Sequence, residues 1–91
     1  MRIVILNGLA MTQRRAAHEY LRQTLDFPAY YGHNLDALAD CLGELGPHTH
    51  IILTEAEAMR KNLGDYAERL LRVLYEGAQP PYSYHFAVDG E

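Results

Sequence analysis

With 91 residues, 48% of them hydrophobic, the chain is long enough for one packed core, too short for two, and too apolar for a disordered segment. A single cysteine, Cys41, excludes an intrachain disulfide, and no apolar run approaches the roughly 20 residues needed to cross a bilayer. The net charge is −4, yet no Lys or Arg occurs from Gln23 to Met59, a stretch that holds Asp26, Asp36, Asp40, Glu44, Glu55 and Glu57. Such a segregated acidic field repels phosphates, so it argues against direct nucleic-acid binding and suits a basic partner; it also aids solubility.

In chain order, Arg2–Leu6 is a β-branched, near-continuous apolar run that ends in Asn7-Gly8 and reads as a strand buried on both faces. It is too short for a signal peptide and is followed by no cleavage pattern, which makes the cytoplasm the default compartment. Thr12 is positioned to cap a helix running to about Leu25, with Ala17, Leu21 and Leu25 on its apolar face. Pro28 prevents that helix from continuing, and Tyr30-Tyr31-Gly32 predicts a turn with positive φ at Gly32.

A second helix is predicted from the Asn34 cap to about Gly43, with Leu35, Leu38, Leu42 and Leu45 as its stripe. Cys41 reads as a small buried apolar residue of this helix. His50–Thr54 is the next buried strand. Thr54-Glu55-Ala56-Glu57 has the form of a capping box for a short helix stopping near Gly64, and Asp65-Tyr66-Ala67-Glu68 opens the last helix in the same manner. Its core face is Ala67, Leu70, Leu71, Leu74 and Ala78, with Asp65–Arg69, Glu68–Arg72 and Arg72–Glu76 as charge pairs outside. The closing strand alternates, with Tyr82, Tyr84, Phe86 and Val88 on one side. Strands separated by helices define an α/β domain with a three-stranded parallel sheet, and residues 1–91 read as a single domain.

The informative residues lie on the second helix. Asp36, Asp40 and Glu44 stand one turn apart, all pointing away from the leucines, and like charges at this spacing cost an isolated helix roughly 0.2–0.5 kcal/mol per pair. Asp36 has a structural account, since it meets the positive end of the helix dipole; a partner-binding role is equally open. Asp40 lies too deep for that, and no Lys or Arg stands at its i±3 or i±4 positions.

Pro28-Ala29-Tyr30-Tyr31-Gly32-His33-Asn34-Leu35-Asp36-Ala37-Leu38-Ala39-Asp40-Cys41-Leu42 resembles the barstar signature P-x-Y-Y-G-x-N-L-D-A-L-x-D-C-L at every fixed position. The order of elements is similar over essentially the whole chain. The resemblance implies an α/β fold with helices packed against a three-stranded parallel sheet. It also implies a cofactor-free, metal-free inhibitor, not an enzyme, that is a monomer when free and occludes the active site of a basic, secreted, barnase-type ribonuclease or related toxin. By the same resemblance, Asp40 enters the phosphate pocket and meets catalytic Arg and His side chains. Asp36 pairs with basic residues beside it, and Tyr30 stacks on the catalytic histidine. Gly32 and Asn34 add close backbone and polar contacts, and Glu76 contributes an acid from the last helix, although Arg72 could pair with it instead. Leu35, Ala39, Gly43 and Glu44 complete the implied surface.

The sequence departs from the best-known barstars at Ala39 and Leu45, where they carry tryptophans, and at His33, where the relative compared carries an acid. Trp is enriched among interface hot spots, so these changes point to a target other than barnase. His33, charged at mildly acidic pH, would oppose a basic partner. Three other readings follow from the residues alone. His48-Thr49-His50 with Glu55 could ligate a metal, but supplies two ligands and no fixed third. Asp36 and Asp40 could act as an acid–base pair, but lack a pocket that excludes water. Finally, the same surface could serve a barstar-fold interaction module or antitoxin for a partner that is not a nuclease.

Overall fold

The computed structural model describes residues 1–90. Its elements run β1 (Arg2–Asn7), a 3-10 turn (Gly8–Ala10), α1 (Arg14–Leu25), α2 (Leu35–Leu42), β2 (Thr49–Thr54), α3 (Ala56–Leu63), α4 (Asp65–Gly77) and β3 (His85–Val88). The three strands form one parallel sheet in the order β1-β2-β3, so β2 is central. Its register sets Val4, Ile51 and Phe86 in one row and Leu6, Leu53 and Val88 in the next.

One face of the sheet is covered by helices and the other is bare, which gives a slab of 32 × 32 × 18 Å. Val4, Leu6, Ile51, Leu53 and Val88 are buried, whereas Ile3 and Ile5 are 60% and 49% exposed. The expectation that β1 is buried on both faces is therefore corrected: an unbroken apolar run hides a strand with a single covered side. His50 and His85, paired across β2 and β3, stack at 4.0 Å between ring centroids on that open side.

The helices follow their apolar stripes. Ala17, Leu21 and Leu25 from α1, Leu38 and Leu42 from α2, and Ala67, Leu70, Leu71 and Leu74 from α4 join one core. Leu35, Leu45 and Ala78 pack against its edge. α2 lies against α4 rather than against the sheet. Gly8 is buried where β1 turns, and a Cβ there would collide with the carbonyl of Glu55.

The caps predicted at Thr12, Thr54 and Asp65 are corrected. α1 begins after Gln13, and neither Gln13 at that cap nor the residues capping α3 and α4 provide a side-chain hydrogen bond. Thr54 Oγ1 donates instead to the Leu6 carbonyl across the sheet, and Glu55 sits in the left-handed region at φ 54°. The expected pairs along α4 also fail to form among the described residues. Arg60 of α3 pairs with Glu57 and Glu68 at 3.1 and 2.9 Å, joining the two helices. β3 is shorter than its alternation suggests: Tyr84 is buried and donates to the Leu74 carbonyl, while Tyr82 is 87% exposed in the preceding turn.

Candidate protein-binding site

α1 ends on Asp26 in a left-handed cap at φ 59°, and the chain then turns through Phe27–Asn34 into α2. Two adjacent tyrosines leave this turn in opposite directions. Tyr31 is buried, and Tyr30 is 87% exposed. The inward ring is fixed by the fully buried His18 of α1, whose Nδ1 pairs with the Tyr31 hydroxyl at 2.7 Å and whose Nε2 pairs with the Tyr66 hydroxyl of α4 at 2.6 Å. A neutral imidazole meets both needs, accepting from one hydroxyl and donating to the other. Burial, reinforced by the charge of His33, holds His18 neutral by lowering its pKa to about 4.

His33 takes the positive φ of 53° that the sequence reading assigned to Gly32. Its Nδ1 donates to the Tyr31 carbonyl at 2.7 Å and its Nε2 faces Glu19 of α1 at 3.1 Å. Arg22 and then His33 hold the Glu19 carboxyl below its usual range. His33 is thus turned toward α1, where its charge would be compensated, rather than toward the acidic row. Space at Gly32 is tight: a Cβ would lie 3.2 Å from that of Ala37. Asn34 caps α2 as predicted, its side-chain oxygen accepting from the Ala37 N–H at 2.8 Å.

Capped at one end and packed on α4, α2 turns Asp36, Asp40 and Glu44 outward. All three are exposed, and among the described residues none has an ion pair or side-chain hydrogen bond. Ala39 and Gly43 are exposed on the same helix, and Leu35 is half-buried at its start. Between α2 and α4, Ala39, Leu42, Val73 and Gly77 border a hollow of about 220 Å³ with Glu76 at its edge. Glu76 is exposed and makes no ion pair with Arg72 among the described residues.

Cys41 is only half-buried, a correction to its expected place in the core. Burial and then the charges of Asp40 and Glu44 push its thiol above the usual value, which disfavours the reactive thiolate. His48 lies exposed in the turn before β2, whereas His50 faces His85. Among the described residues no three His, Cys, Asp or Glu side chains gather as metal ligands.

The sequence reading missed His18, Tyr31 and Tyr66 as the clamp behind the site. A signal was available: His18 stands three and seven residues before Leu21 and Leu25, on the apolar flank of α1. No comparable signal marks Tyr66, whose ring is covered in the fold by the guanidinium groups of Arg14 and Arg69 at 4.5 and 5.5 Å.

A parallel three-stranded sheet with four helices on one side, and an unpartnered acidic helix at its margin, defines the class: a barstar-like α/β protein. The chain belongs to the barstar family, whose model, described as Barstar (barnase inhibitor), matches residues 1–86. It is similar to "Putative ribonuclease inhibitor YrdF" of Bacillus subtilis (strain 168), with 39% identity over 80 residues, covering 87% of this chain and 88% of that protein.

Proposed function

We propose that the protein is a stoichiometric inhibitor of a basic microbial ribonuclease, with α2 and the turn before it occupying the enzyme's active site. The observation that carries this reading is the row Asp36, Asp40 and Glu44, exposed and unpartnered beside the outward ring of Tyr30. Membership of the barstar family and the name of the Bacillus relative support it.

The physical principle is replacement of an anion. A ribonuclease keeps guanidinium and imidazolium groups in place for a phosphate, and a carboxylate on a fixed helix makes the same charge-assisted hydrogen bonds. Asp40 takes the phosphate position, Asp36 pairs at its side, and Tyr30 stacks on the catalytic imidazole. Gly32, Asn34, Leu35, Ala39 and Gly43 form the close-fitting remainder, while Glu44 and Glu76 flank it. The inhibitor needs no cofactor or metal, and performs no chemistry itself. The acidic field also accelerates encounter with a basic enzyme. Ala39 and Leu45 in place of indoles favour a target other than barnase, and an intracellular immunity or antitoxin role follows from a nuclease that would otherwise attack the cell's own RNA.

Fluorogenic RNA cleavage by a panel of basic microbial ribonucleases, titrated with this protein, tests the proposal. A sharp equimolar end point with one enzyme is the expected result. Undiminished cleavage by every member would leave a barstar-fold module for another kind of partner.

A further inference from the structure

Beside the acidic row runs a groove of about 610 Å³ between the end of α1 and the end of α2. Its floor is apolar, with Leu25 and Phe27 buried and Leu45 packed against them. Its rim carries three carboxylates, those of Asp26, Asp40 and Glu44. Facing them is one cation, Arg2, whose guanidinium reaches Asp26 at 3.3 Å. That contact is largely exposed, with Asp26 84% accessible, so it is weak and readily exchanged. Asp40 and Glu44 have no partner among the described residues, and Cys41 on the groove wall feels both charges. Tyr30 and Asp40 belong to this groove as well as to the surface described above, so the two are continuous.

We propose that the groove is a second docking point for the inhibited nuclease, receiving one Lys or Arg side chain from a loop outside the phosphate pocket. Arg2 holds the place of that cation in the free protein. The inference rests on the inhibitor reading and extends it. A long basic side chain fits both parts of the groove: its methylene stem covers the apolar floor while its charged head meets Asp26 and Glu44, the two rim carboxylates that the phosphate pocket leaves free. An acidic or purely apolar side chain would leave those carboxylates uncompensated. Asp26 and Glu44 then become determinants of specificity, and Arg2 becomes an internal competitor whose removal strengthens binding.

The test compares inhibition constants and dissociation rates of Arg2→Gln, Asp26→Asn, Glu44→Gln and Asp89→Asn against the ribonuclease that the wild type inhibits. Asp89 is an exposed acid at the opposite end of the parallel strands and reports the long-range field alone. Arg2→Gln is expected to tighten inhibition by about threefold, whereas Asp26→Asn and Glu44→Gln weaken it by about tenfold through faster dissociation. Asp89→Asn is expected to stay within about twofold of wild type. Changes confined to the association rate, or no larger than those of Asp89→Asn, would overturn the groove as a contact while leaving the inhibitor reading intact. If no ribonuclease is inhibited, the inhibitor reading fails on its own terms and the groove is probed directly. Titration with the peptide acetyl-Gly-Arg-Arg-Gly-amide should then shift the amide resonances of Asp26, Glu44 and Leu45, and Glu44→Gln should abolish the effect. Absence of those shifts would overturn the proposal.

Discussion

Two polar clusters lie on either side of the turn that leads into α2. On the inner side, His18, Tyr31 and Tyr66 are buried, and every polar atom of the trio has a partner. On the outer side, Asp36, Asp40 and Glu44 are exposed and have none among the described residues. The contrast separates two tasks that one short segment performs. A satisfied buried network fixes geometry, because leaving any member unpaired costs about 1–3 kcal/mol. An unsatisfied exposed row contributes nothing to that geometry and remains available to a cationic surface. Tyr30 and Tyr31, adjacent in the chain, divide along the same line.

The sharpest way to break this contrast is Asp40→Ala. Truncating one member of an interfacial charge pair costs about 2–5 kcal/mol, a range informed by the barnase–barstar complex itself, so inhibition should weaken about 30-fold or more. The melting temperature should hold or rise slightly, because the change relieves like-charge repulsion along α2 and replaces a poor helix former. Glu76→Ala, at the edge of the surface, should cost far less. Equal potency of Asp40→Ala and wild type would remove the outer row from the contact.

Acid should act on the inner cluster. Burial lowers the His18 pKa from its ordinary 6.5, kept in the unfolded chain, to about 4 in the folded protein. The unfolded state therefore takes up a proton that the native state refuses, and stability is complete above pH 6.5 and declines as pH falls toward 4. The loss over that window is about 3 kcal/mol, measurable as a falling urea midpoint. A midpoint independent of pH across this range would show that His18 is not sealed in.

Tyr31→Phe keeps the ring against Phe27 but removes the hydroxyl that meets His18. It should destabilise by about 1–3 kcal/mol in chemical denaturation, and it should weaken inhibition less than Asp40→Ala. Asn34→Ala is the mildest, with loss of the cap costing about 1 kcal/mol and fraying the first turn of α2. An unchanged unfolding midpoint in Asn34→Ala would mean that the cap does not hold the row in place.

What could be read in the sequence follows the same division. Periodicity announced the helices, because Leu38 and Leu42 or Leu70, Leu71 and Leu74 can be buried together only at helical spacing. The outward direction of Asp36, Asp40 and Glu44 followed from the leucines opposite them. The caps were less legible: Thr12, Thr54 and Asp65 match short local patterns, but the sheet claimed Thr54 and the turns took other routes. The exposure of Ile3 and Ile5 was invisible, since nothing local says that no helix will cross that face. The clamp on Tyr31 was partly hidden: His18 stood on the apolar flank of α1, but no sequence period relates it to Tyr31 in the turn or to Tyr66 in α4.

The central position of β2 has a consequence for the time at which the binding segment takes shape. Arg2 pairs with Thr49 and His50 with His85, so no ladder forms until the chain beyond residue 48 is available, and the last strand is added only near residue 88. During synthesis, residues 28–45 emerge before the strands can pair and before Tyr66 and the leucines of α4 exist to hold them. A peptide cut from that segment would carry every acid of the row and lack the scaffold that aims them.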